Sequence, residues 1–200
     1  MALVKPGTAI LKTWYVKMEI ALRGACTVLC FIITICAAIT LSAIEDVEDV
    51  IGIEVEDKYK SAAGWLVFVS VMGVIYEPFV VLLRFLNLEI FNQKFIYFMI
   101  AGCIDVGISV VFAISYVSGG VASAVYFSDY IGNDYLDDCD RDICNDEKRV
   151  RNSEAASVAF SFFAIIAFGT LAGIVILTIL LTRKGQRNSN TSDYKEDTTQ

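Results

Sequence analysis

Four long apolar segments dominate the sequence, and the charged residues fall almost entirely between them. A helix needs roughly 20 mostly apolar residues to cross the hydrocarbon core of a bilayer, and all four segments reach that length. Strands of a membrane β-barrel would instead alternate apolar and polar residues over about ten positions. The sequence therefore predicts an all-α membrane protein, a bundle of four transmembrane helices. The predicted spans cover residues 18–43, 63–86, 95–117 and 155–182.

The composition agrees with this fold class, because 56% of the 200 residues are hydrophobic and the mean hydropathy is +0.60, outside the usual range of soluble domains. The lipid bilayer is thus the first expected partner. We expect a short cytosolic N-terminal segment and a polar, disordered C-terminal tail around one membrane domain with two outer loops. The corresponding ranges are 1–17 for the N-terminal segment, 18–182 for the membrane domain, 44–62 and 118–154 for the loops, and 183–200 for the tail.

The distribution of Lys and Arg predicts the orientation, since basic flanks are retained in the cytosol and acidic residues contribute little. Two loops hold sixteen of the twenty-three acidic residues but only six of the sixteen basic ones. Both termini are therefore expected in the cytosol, in either the plasma membrane or a vesicle membrane. The ten basic residues that support this orientation are Lys5, Lys12, Lys17, Arg23, Arg84, Lys94, Arg183, Lys184, Arg187 and Lys195.

The longer outer loop contains two cysteines, Cys139 and Cys144, within an acidic stretch. Disulfides persist in extracytosolic compartments, so we expect a disulfide between these two residues. Two alternatives stay open. The cysteines could remain free thiols, or the neighbouring aspartates could bind calcium, although the stretch lacks the glycine and terminal glutamate spacing of an EF-hand.

Three ionisable residues, Arg23, Glu77 and Asp105, interrupt the apolar spans. Such groups are costly in a membrane and usually face protein or water. Arg23 lies about one turn inside its span, and both acids lie about 13 to 15 Å in from the same side, within reach of a guanidinium. We expect a structural ion pair that fixes helix register, with Asp105 the first choice of partner for Arg23 and Glu77 the second. The alternative is a proton or ion relay through Glu77 and Asp105, which would make the chain a small transporter or channel subunit.

Gly169 and Gly173 form a Gly-x-x-x-Gly pattern in the fourth span. Small residues at this spacing allow membrane helices to approach closely. We interpret the pattern as close packing within the bundle, and its alternative interpretation is a dimer face.

No nucleophile and base are arranged as catalysis requires, and the chain contains no histidine, the commonest general base and neutral metal ligand. We therefore expect no enzymatic activity, no cofactor and no metal site, and no nucleic-acid partner.

The residues resemble the MARVEL domain family in three stretches: Lys17–Cys26 with its Arg23, Ile104–Ala113 with its Asp105, and Glu154–Ala164, a small-then-aromatic opening to the fourth span. The resemblance covers the region from Lys17 to Thr182. The family includes vesicle and tight-junction proteins with four spans, and plant relatives that pair an arginine of span one with an aspartate of span three. The resemblance implies a role in membrane apposition, including cell junctions, in lipid-domain organisation or in vesicle trafficking. We expect the chain to act through lateral association, in homo- or hetero-oligomers with other membrane proteins. Glu77 followed by Pro78 departs from the family pattern.

Overall fold

The fold is a bundle of four long helices, each with an apolar stretch long enough to cross a membrane. A computed structural model describes residues 6–51, 57–86, 95–132 and 141–196, and these contain no strand. The prediction of an all-α, four-span membrane bundle is confirmed. The helices are α1 (Pro6–Ile51), α2 (Asp57–Leu86), α3 (Phe95–Gly132) and α4 (Arg141–Glu196).

Each helix packs against two of the others, and neighbouring helices run in opposite directions. Helix α1 packs against α2 and α4, and α3 packs against the same two helices, while the diagonal pairs make no close backbone contact within the described ranges. One end of the bundle holds Arg23 of α1 with Glu77 of α2 and Asp105 of α3, and we call it the Arg23 end. At the opposite end, the loop end, Thr40 of α1 meets Ser153 of α4.

The interior between these ends is apolar and aromatic. Phe168 of α4 stacks on Phe112 and Tyr116 of α3, with ring centroids 5.1 and 5.9 Å apart. Leu66 of α2 and Ile33 of α1 complete this layer and are fully buried. Many large apolar side chains point outward, as expected where the surrounding solvent is lipid rather than water.

Close helix contacts occur at glycines other than the expected pair. A Cβ atom on Gly73 would lie 2.6 Å from Cys30 Sγ, and one on Gly119 would lie 2.7 Å from Leu66 Cδ2, so both positions require glycine for the observed approach. Gly169 and Gly173 face outward, and a Cβ atom there would meet nothing within 4 Å. The interpretation that they pack inside the bundle is therefore corrected, and the dimer-face interpretation stays open.

The helices extend well past the predicted spans. Helix α1 continues to Ile51, α3 continues to Gly132 and α4 begins at Arg141, so much of both expected outer loops is helical. The tail from residue 183, expected to be disordered, continues α4 as far as Glu196. Hydropathy marks only the lipid-contacting part of a helix. Once a helix is nucleated, adding a further residue to it costs little free energy. The chain's two prolines, Pro6 and Pro78, lie outside the extensions and so do not interrupt them.

Candidate functional site

A buried charge cluster occupies the Arg23 end and is built around one guanidinium. Arg23 faces the bundle interior and is 1% exposed. Its Nη1 donates a hydrogen bond to Glu77 Oε2 at 2.8 Å, and its Nη2 donates to Asp105 Oδ2. Nε and Nη2 also donate to Oε1 of Glu19, one turn earlier on α1, at 3.2 and 3.1 Å. One cation therefore connects α1, α2 and α3.

The structure brings together all three ionisable residues noted in the spans. We expected Asp105 or Glu77 to pair with Arg23, and both carboxylates bind the same guanidinium. Glu19 was not anticipated. Its spacing of four residues from Arg23 is the usual spacing of a same-helix ion pair, so the sequence did contain the signal.

Tyr76 completes the surroundings of Asp105. Its hydroxyl donates to Asp105 Oδ1 at 3.0 Å, so both carboxylate oxygens of Asp105 accept hydrogen bonds. Glu77 is fully buried and uses Oε2 for Arg23, whereas its Oε1 has no hydrogen-bond partner among the described residues. The two acids are thus held differently, Asp105 through both oxygens and Glu77 through one.

The energetics of this cluster favour a structural role. Removing an ion from water costs several kcal/mol, and the cost is offset only when charge and hydrogen bonds are supplied in return. Here Arg23 donates hydrogen bonds to three carboxylates, those of Glu19, Glu77 and Asp105. The Tyr76 hydroxyl donates one further hydrogen bond, to Asp105. Within the described ranges, no group of three or more His, Cys, Asp or Glu could hold a metal ion.

A second polar contact lies deeper in the bundle, about two turns from Arg23. The Tyr116 hydroxyl donates to Ser70 Oγ at 3.1 Å and lies 3.1 Å from Cys30 Sγ. Because tyrosine has one hydroxyl proton, the Cys30 thiol donates to the Tyr116 oxygen. This contact again connects α1, α2 and α3. No sequence pattern indicates this contact, since each of the three residues alone suits an apolar span.

The predicted disulfide falls largely outside the described residues. Cys139 is not described, and Cys144 lies in α4 without a described side chain. Their disulfide stays a prediction. The cysteines whose side chains are described, Cys26, Cys30, Cys36 and Cys103, are free thiols.

Comparison with protein families matches the chain, over residues 16–174, to the MARVEL model, described as a membrane-associating domain. The matched region contains Arg23, Glu77 and Asp105 and reaches from the start of the α1 span into the second half of the α4 span. The searches of curated proteins and of solved structures found no match.

Proposed function

The chain belongs to the MARVEL family of membrane-associating domains, and we propose that it is a non-enzymatic, four-span organiser of membranes. It acts in membrane apposition, at cell junctions or in vesicle trafficking. The observation that carries this proposal is the family match across residues 16–174, which includes three whole spans, most of the fourth and the charge cluster.

The contacts of the charge cluster support an organising role over transport. A carboxylate that transports a proton or an ion must bind and release it, but Glu77 and Asp105 both bind Arg23 inside the bundle. Removal of that cation would leave buried acids without a counter-charge. The cluster instead acts as a fixed tie between helices, and the function lies on the outward faces of the bundle.

Lateral association is the route by which such a bundle organises a membrane. Gly169 and Gly173 lie one turn apart on the outward face of α4, with open space where side chains would be. In lipid, this spacing allows a second helix to pack closely, and the pattern is self-complementary in helix dimers. We propose that a second copy of the chain packs on this face, and hetero-oligomers are the alternative outcome.

The orientation we propose has both termini in the cytosol and the loop end outside the cell or in a lumen. Basic residues concentrate on the side of the Arg23 end, as the positive-inside rule requires. Tags at Met1 and Gln200 should be protected from an external label in intact cells and labelled after permeabilisation. Labelling of either tag in intact cells would overturn the orientation.

The proposed function is tested by imaging two full-length copies with different fluorescent tags in the same cell. We expect both copies to concentrate at cell contacts or on vesicles, with energy transfer between them. A variant with Gly169→Leu and Gly173→Leu should lose transfer. Gly107→Leu is the matched control, because Gly107 on α3 also faces outward with nothing within 4 Å.

The outcomes separate the two parts of the proposal. If both copies concentrate at the same sites but show no energy transfer, the organising role stands and the α4 face is rejected as a self-association surface. A uniform distribution over all membranes would contradict the organising role itself.

A further inference from the structure

Helix α1, like α4, exposes a glycine on its outward face. Gly24 of α1 points away from the bundle, as Gly169 and Gly173 of α4 do, and a Cβ atom on any of the three would meet nothing within 4 Å. Larger side chains at these positions would therefore leave the bundle itself undisturbed. A glycine that serves no contact within the bundle allows a further helix to pack closely on it in the membrane.

The contacts between α1 and α4 show which of their residues lie at the same depth in the membrane. These helices run in opposite directions, and the hydroxyl oxygens of Thr40 on α1 and Ser153 on α4 are 2.9 Å apart. Both helices rise about 1.5 Å per residue. Gly24, sixteen positions before Thr40, is therefore level with Gly169, sixteen positions after Ser153. Two copies with the same orientation in one membrane share these depths.

The exposed residues in line with these glycines form a continuous outward face on each helix. The α1 face follows α1 at steps of three and four residues and includes Ala21, Gly24, Val28, Phe31, Ala38 and Asp46. The exposed residues at the same depths on α4, the α4 face, are in the same order Gly173, Gly169, Ile166, Phe162, Ala155 and Lys148. Such steps keep residues on one side of a helix, so a second helix that crosses at about 20° contacts the face along its whole length.

The charges at the loop end of the two faces are opposite in sign. The apolar span of α1 ends at Asp46, and that of α4 begins at Lys148, with Arg151 one turn further along. Ile44 and Val150 lie in one buried cluster, which makes Asp46 level with Lys148. All three charged side chains are exposed, and no ion pair between described residues involves any of them. The α1 face is therefore negative, and the α4 face positive, at this membrane boundary.

We propose that the α4 face of one copy packs against the α1 face of the next copy, so that copies join head to tail in the plane of the membrane. This inference rests on the self-association proposed above and names the surface that meets the α4 face. A symmetric pair of α4 faces would bring Lys148 of both copies together, and a symmetric pair of α1 faces would do the same with Asp46. The mixed pair combines contact between Gly24 and Gly169 with opposite charges at the loop end.

A head-to-tail contact has a consequence for the size of the assembly. Each pair of copies leaves one α1 face and one α4 face uncovered, so further copies add until a ring closes or an open chain forms. A symmetric contact between two α4 faces would stop at two copies. Exposed ion pairs contribute little affinity, so the glycines provide the close packing and the charges select the partner face.

The pairing is tested by complementation between two full-length variants in one cell, with the energy-transfer donor on one and the acceptor on the other. Gly24→Leu blocks the α1 face, and Gly169→Leu with Gly173→Leu blocks the α4 face. Each variant should lose transfer between its own copies. The two together should regain it, because one supplies an intact α4 face and the other an intact α1 face. Gly107→Leu, at an outward glycine of α3, is the matched control and should retain transfer.

The outcomes distinguish this pairing from self-association as such. If Gly24→Leu copies transfer energy among themselves as the wild type does, or if the mixture of variants does not regain transfer, the head-to-tail pairing is overturned. Transfer between wild-type copies would then still support self-association through the α4 face. Absence of transfer between wild-type copies would overturn both.

A charge exchange tests the same pairing without changing the apolar surface. Asp46→Lys and Lys148→Glu should each lower transfer, because each brings like charges together, and the chain with both changes should recover it. Glu45→Lys is the matched control, because Glu45 is an exposed acid next to Asp46 that lies about 100° further round α1. If the chain with both changes transfers no better than either single variant, the charges do not pair between copies and the proposal is overturned.

Discussion

Buried acids lie at both ends of the bundle, and those of the Arg23 end bind a buried guanidinium. There, Glu77 and Asp105 bind Arg23, and the ion pairs connect α1, α2 and α3. At the loop end, Glu154 of α4 is buried and lies close to the hydroxyls of Thr40 of α1 and Ser123 of α3. The helices are therefore held by ion pairs at one end and by neutral hydroxyl contacts, such as that of Thr40 with Ser153, at the other.

The largest expected effect is the loss of the internal cation. Arg23→Leu would leave Glu77 and Asp105 buried without a counter-charge, and breaking a buried ion pair from one side costs about 3 to 5 kcal/mol. The midpoint of thermal unfolding in detergent and the amount reaching the cell surface should both fall. Arg151→Leu, at an exposed arginine of the loop end, should change stability by less than about 0.5 kcal/mol. Equal losses in the two variants would show that burial does not distinguish these arginines.

Neutralisation of the acid at the loop end should change stability in the opposite direction. Glu154→Gln removes the charge of a buried carboxyl that lies outside the Arg23 ion pairs, so stability should rise by about 1 to 3 kcal/mol relative to the wild type. The same unfolding measurement detects it, and the exposed Glu45→Gln should show no change. If Glu154→Gln destabilises the protein as strongly as Arg23→Leu, the two ends do not differ in the way we describe.

The smallest expected effect concerns the neutral contact between the two ends. Tyr116→Phe removes the hydroxyl that connects Cys30 and Ser70 but retains the ring packed on Phe168. A neutral hydrogen bond contributes about 1 kcal/mol, so the unfolding midpoint should fall slightly. If Tyr116→Phe lost as much stability as Arg23→Leu, the strongest contact between the helices would lie in the middle of the bundle and not at the Arg23 end.

The four spans and the Arg23 cluster could be predicted from the sequence because each leaves a local signal. A continuous apolar run marks a span, and Arg23, Glu77 and Asp105 stand out because ionisable residues are rare within such runs. That both acids bind one guanidinium could not be predicted. Which acids reach Arg23 depends on the rotation of each of the three helices about its own axis. A span with apolar residues on all faces does not determine that rotation.

Glu154 was missed for a related reason. It lies where the acidic outer loop meets the fourth span, and charged residues at such a boundary are ordinary. Glu154 is buried because α4 begins at Arg141, so the helix already packs against α1 and α3 where it reaches Glu154. Gly169 and Gly173 show the converse: the motif was recognised, but the sequence could not decide whether it faces the bundle or the lipid.

The most direct test of the central claim, that Arg23 ties α2 and α3 to α1 through both acids, compares single, double and triple variants in one thermal unfolding series in detergent. Arg23→Leu with Asp105→Leu should recover only part of the stability lost in Arg23→Leu, because Glu77 stays buried without its cation. Adding Glu77→Leu should recover much of the rest, since replacing buried ion-pair partners together with apolar residues is often nearly neutral, and Glu19, which also binds Arg23, is retained in every variant. A triple variant whose loss equals the sum of the three single losses would contradict the claim.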